Sequence, residues 1–251
     1  MNISKTMCLQ AALGLVTMSA TMLFTHEAGA SDDVYPRYEL SSTEVYEQAS
    51  LEAYSSQHEL IYKHIDANLV EHFENLQRWV RQPSISAQNV GITEMAELLR
   101  DDLAAIVFSE TRLVPTSGHP GVWGYYDAGS PRTLLVYMMY DVQPVNEDDW
   151  ESPPFEGNLI EREYGSVMIA RGATNQKGPQ RAFLNAVDSI VKVNGSLPVN
   201  LMVLAEGEEE LGSPHYPELV DVFEQRLKAA DGVLFPFNSQ NLKGELNVLL
   251  G

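Results

Sequence analysis

The sequence predicts an α/β fold, a mainly parallel sheet flanked by helices. Two apolar runs of strand length, Leu134–Met139 and Val199–Ala205, lack polar alternation, as expected of strands covered on both faces. Between them Phe183, Ala186, Val187 and Ile190 fall on one helical face. Strand, helix, strand in that order places parallel neighbours on either side of a crossover helix.

Taken in order, the elements support this class. Ile65, Leu69, Phe73, Leu76 and Val80 recur every three or four residues, which predicts one long amphipathic helix from Glu59 until Pro83 stops it. Pro83-Ser84-Ile85-Ser86 is expected to be extended. A second helix begins near Thr93, with Met95, Leu99, Leu103 and Ile106 on its buried stripe. After residue 110 short apolar runs bounded by Gly, Pro and Asp read as strands. The crossover helix stops at Gly195, and Gly232-Val233-Leu234-Phe235 reads as a shorter third strand. No internal repeat or low-complexity linker interrupts the series.

The chain has 251 residues, with 35 acidic side chains against 16 Lys and Arg and a formal charge of −19. So negative a surface repels phosphate backbones and anionic lipid, which excludes sequence-independent nucleic-acid binding. The length suits one large domain, or one domain with a tail. Residues 1–30 read as a signal peptide: Lys5 precedes the apolar run Leu9–Phe24, and Ala28-Gly29-Ala30 offers small residues for cleavage after Ala30. An uncleaved anchor is the alternative, since the run approaches the roughly 20 residues of a membrane span. Export to the periplasm or medium, with no stable membrane insertion after cleavage, is the expectation. The only cysteine, Cys8, leaves with that segment, so the mature chain has no thiol chemistry. Residues 31–58 form a polar extension in which Ser41 to Glu44 resembles a capping box ahead of a short helix to about Tyr54.

Function in open α/β sheets collects beyond the carboxyl ends of the strands. Three loops qualify: Asp141 onward, Arg171 to Gly178, and Glu206 to Gly212. In the last, Glu206, Glu208, Glu209 and Glu210 crowd four carboxylates into five positions. Such crowding costs energy unless a cation, basic groups or protons offset it, and a solvated acidic turn is the alternative. His215 lies near this loop; His119 reads as a turn residue, and His58, His64 and His72 fall on or beside the first helix with packing or surface roles.

Tyr140-Asp141-Val142-Gln143-Pro144-Val145, Trp150 with Pro154-Phe155, Arg171-Gly172 with Lys177-Gly178, and Glu206-Gly207 through Gly212-Ser213 together resemble the carnosinase, aminoacylase and carboxypeptidase-G family. That family hydrolyses amide bonds with two zinc ions, and the similarity runs from about Glu59 to Gly251. It implies Glu209 as the general base, Glu210 as a zinc ligand, and Asp141 as a carboxylate that orients the ligand two residues before it. The ligands implied by the resemblance are not all present. Met139 stands where the family has a histidine, and its thioether is a poor zinc partner beside oxygen ligands. Asn175 stands where the family has its bridging Asp, and no acid occurs near Phe235-Pro236-Phe237 for a later ligand. Zinc, the family's cofactor, is therefore expected to be absent or weak here, with His215 or Glu208 the remaining candidates beside Glu210.

Residues 59–251 are expected to form only the first part of the catalytic domain, without the family's lid and dimerisation domain, and an incomplete sheet edge offers a route to self-association. The resemblance implies a small peptide or N-acyl amino acid as substrate. Two functions stay open: an exported amide hydrolase using Glu209, and a metal-free descendant that binds a peptide-like ligand or runs metal-independent chemistry.

Overall fold

The computed structural model describes residues 57–163 and 165–238. The expected signal peptide with Cys8, and the polar extension up to residue 56, lie outside the described residues. Helix α1 (Gln57–Ala67) and helix α2 (Leu69–Arg81) occupy the stretch predicted as one helix. The break falls at Asn68, whose Nδ2 donates to the His64 carbonyl at 2.7 Å while its backbone N–H donates to Ile65. A short amide side chain competes with the helical ladder in this way, a signal that hydrophobic spacing does not carry. The segment 83–85 is extended, and one 3₁₀ turn, Ser86–Gln88, leads into helix α3 (Ile92–Ala105).

Strands β1 (Glu110–Val114), β2 (Gly121–Tyr126) and β3 (Thr133–Met139) follow, then a hairpin of β4 (Leu159–Arg162) and β5 (Gly165–Met168). The crossover helix α4 (Lys177–Asn194), strand β6 (Asn200–Glu206), helix α5 (Tyr216–Leu227) and strand β7 (Gly232–Leu234) complete the described elements. The main sheet has the order β1-β2-β6-β3-β7. β6, β3 and β7 pair in parallel, whereas β2 runs antiparallel to both β1 and β6, so four of the five strands point the same way. The fold is α/β with a mixed, mostly parallel sheet.

Residues Leu201, Val203 and Ala205 of β6 join Val136 and Met138 of β3 on one face, beneath Trp79 of α2, Leu99 and Leu103 of α3, and Leu184 and Val187 of α4. Met202 and Leu204 point to the other face, where Leu219 and Phe223 of α5 cover them. Every residue of β6 is buried, as a strand between two helical layers demands. A polar clasp ties the helices together: Asp102 of α3 accepts from Trp79 Nε1 at 2.6 Å, Arg78 Nη2 at 2.7 Å and Arg181 Nη1 at 2.8 Å. Among the described residues no helix is long and apolar enough to cross a membrane, and β7 pairs only with β3.

Candidate functional site

The register of the central strands builds the site. β3 and β6 run parallel with Met139 opposite Glu206, and the Tyr140 N–H donates to the Glu206 carbonyl at 2.9 Å. Their carboxyl ends therefore lie level, and the loops leaving them meet. Ile85 bridges to Val142 beside the same strand end, which carries Ser86 to it.

Asp141 is the hub. Its carboxylate accepts from Ser86 Oγ at 2.7 Å, from the Glu210 N–H at 3.1 Å and from the Glu209 N–H at 3.2 Å. Burial raises its pKa to about 6 despite these donors, which favour the charged form. Asp141 thus fixes the backbone of the glutamate turn. Glu209 and Glu210 lie in a 3₁₀ turn, Glu209–Leu211, after β6 has ended.

The two adjacent carboxylates have different surroundings. Glu210 Oε2 accepts from Gln143 Nε2 at 2.7 Å and Glu210 Oε1 from Asn175 Nδ2 at 3.1 Å. The Asn175 amide is oriented from its other end, because its Oδ1 accepts from Gln176 Nε2 at 2.5 Å. Glu209 makes no side-chain hydrogen bond among the described residues; partial burial raises its pKa, and Glu210 and Asp141 add to the shift.

The other two glutamates are structural. Glu206, 3% exposed, accepts from Tyr137 Oη at 2.6 Å and Ser213 Oγ at 2.8 Å, and burial raises its pKa. Glu208 is buried and pairs with His215 Nδ1 at 2.7 Å. Gly118 sits against that pair, and a Cβ there would overlap both the imidazole and the carboxylate. His215 is therefore directed to Glu208, not to Glu210. His119 lies in a turn, its Nε2 3.1 Å from the Ser86 carbonyl.

Behind the site Lys177, 1% exposed, donates to the Trp79 and Gln82 carbonyls at 3.0 and 2.6 Å, and burial lowers its pKa to about 7. Gln143, Ser86 and Lys177 carry the geometry of the site, yet sequence reasoning gave none of them a role. Gln143 and Lys177 stand in the recognised motifs; Ser86 gives no local signal.

The fit of these residues to zinc can be tested on their chemistry. Met139 is 1% exposed and presents a thioether, while Asn175 presents an amide N–H toward Glu210. Among the described residues no group of three or more His, Cys, Asp or Glu side chains is placed to hold a metal ion. A donor amide directed at the Glu210 carboxylate does not suit a cation at that point.

The fold is an α/β sheet that gathers carboxylates beyond the carboxyl ends of its parallel strands, where sites of open α/β sheets lie. Residues 135–246 match peptidase family M20/M25/M40. The Cys-Gly metallodipeptidase DUG1 of Candida albicans is 34% identical over 164 residues, 59% of this chain and 33% of that protein. The Beta-Ala-His dipeptidase of Mus musculus is 29% identical over 188 residues, 67% of this chain and 37% of that protein. The solved structure of the dipeptidase Dug1p from Saccharomyces cerevisiae superposes with a TM-score of 0.66 at 27% identity, covering 74% of this chain and 42% of that one. Over this part of its length the chain is similar to M20 peptidases, among them Cys-Gly dipeptidase and carnosinase, and the similarity covers part of their catalytic domain. It spans about a third of the length of the curated relatives it matches.

Proposed function

We propose that this chain, of a dipeptidase lineage, binds a small peptide at the strand-end cluster without zinc-dependent hydrolysis. One observation carries the reading: both oxygens of Glu210 already accept from neutral amides, Gln143 and Asn175. Metal ligation would have to displace these bonds, with only a buried thioether at Met139 to help. The relatives named Cys-Gly and Beta-Ala-His dipeptidase point to a dipeptide as the ligand class. The leader pattern of residues 1–30 supports export as part of this reading, with the periplasm or medium as the site of the encounter.

Dialysis of the purified chain against zinc, then buffer, followed by elemental analysis tests the reading. The expected result is far less than one zinc per chain. Stoichiometric zinc would overturn it. Met139→His combined with Asn175→Asp restores a nitrogen donor and a negative charge, and raises zinc retention above the parent chain.

A second reading is favoured by Glu209, whose carboxylate makes no hydrogen bond among the described residues and has a raised proton affinity. It is metal-independent chemistry with Glu209 as the base. Glu209→Gln keeps the shape and removes the base, so turnover of any substrate found would fall at least about 100-fold. Unchanged turnover would remove Glu209 from the chemistry.

A further inference from the structure

A cleft of about 320 Å³ runs from Asn175, at the edge of the carboxylate cluster, past Thr174 and Arg171 to Trp150 and Met168. Its volume lies at the low end of the roughly 300–1,000 Å³ of small-molecule sites. The Arg171 guanidinium lies over the Trp150 ring, 5.1 Å from its centroid, and donates from Nη2 to the Pro144 carbonyl at 3.2 Å. The Arg171 backbone N–H donates to the Pro154 carbonyl at 2.8 Å, which fixes the residue in the cleft wall. Arg171 Nε is buried and has no hydrogen-bond partner. No carboxylate is bonded or ion-paired to this guanidinium among the described residues, in a chain that carries 35 acidic side chains.

With Nε buried and Nη2 bonded to Pro144, the part of the guanidinium left for a ligand is its Nη1–Nη2 edge, and stacking on the indole holds that edge flat. A planar carboxylate matches that edge, because guanidinium N–H groups form a fixed fork suited to two oxygens. We propose that the Trp150–Arg171 cleft is a carboxylate subsite that takes the free carboxyl end of the peptide ligand. The assignment deepens the peptide-binding reading above and rests on it. The cleft reaches Asn175, which donates to Glu210, so a ligand anchored by its carboxylate on Arg171 extends toward Glu209 and Glu210. Arg171 is a positioning residue in this arrangement, and Trp150 holds it.

Glycylglycine, glycylglycinamide and acetate are titrated into the full chain while tryptophan emission is followed. Trp79 and Trp123 are wholly buried, and Trp150 alone of the three lines this cleft; Trp150→Phe assigns the signal to it. The expected result is a response to glycylglycine, with glycylglycinamide at least about tenfold weaker, the size of a lost charge-assisted bond. Arg171→Met abolishes the preference for the acid over the amide, and Arg171→Lys, which keeps charge but loses the fork, restores only part of it. Equal affinity for acid and amide in the parent chain overturns the subsite, as does silence toward all three probes. This comparison needs no substitution, so it decides the matter even if Arg171→Met fails to fold. A response to acetate through Arg171, with glycylglycine no tighter than acetate, upholds the carboxylate subsite and overturns the peptide-binding reading instead.

Discussion

Asp141 illustrates how much of the site depends on one residue. Three donors converge on its carboxylate, and two of them are the backbone N–H groups of the glutamates that follow β6. Burial raises its pKa from 3.8 to about 6. The folded state therefore keeps a proton that the unfolded chain has released, so this group's contribution to stability is fully present below pH 3.8 and lost as pH rises to about 6. The size is about 3 kcal/mol. In Asp141→Asn the term disappears, and urea unfolding across pH 3.5 to 7 is expected to show the parent chain losing about that much relative to the variant. Parallel profiles would show that Asp141 does not titrate in this window. At this scale the sequence was informative about which residues meet: Asp141, Asn175, Glu209 and Glu210 came from motif order and they converge. It was uninformative about their donors. Ser86 reaches Asp141 across 55 residues, and such a bond depends on strand register, which no local pattern encodes.

Among the elements, helices α2, α3 and α4 share one buried carboxylate. Asp102 accepts from all three donors at once, and Arg181 beside it is 5% exposed in its side chain. Asp102→Ala leaves a buried guanidinium and an indole N–H without their acceptor, and is expected to lower the unfolding free energy by about 3–5 kcal/mol. Chemical denaturation measures this, and a loss below about 1 kcal/mol would mean that water replaces the clasp. Helical periodicity made α3 and α4 legible to within a few residues, and unbroken apolar runs did the same for β3, β6 and β7. Helix α5 was not seen, since only Leu219 and Phe223 of its twelve residues are buried. Nor was the β4–β5 hairpin, whose strands are short and half-exposed and pair only with each other. The reversed direction of β2 was equally hidden, because apolar content reports burial and says nothing of polarity along the sheet.

For the molecule as a whole, the sheet is graded from centre to rim. β6 has a hydrogen-bonded partner on each side, β2 and β3, and all seven of its residues are buried, whereas β1 and β7 each pair with one neighbour among the described residues. The acidic loop leaves the end of that central strand, so the group most costly to place in the fold is attached to its firmest element. Amide deuteration follows from this. Leu201 to Ala205 are expected to take up deuterium only through global opening, with a protection free energy equal to that from urea unfolding, while β7 labels sooner through local opening. Early labelling of β6 would refute the gradient. A lattice of amides that opens only when the whole domain melts gives Glu209 and Glu210 a fixed datum, so a visiting molecule meets carboxylates whose positions were set before it arrived.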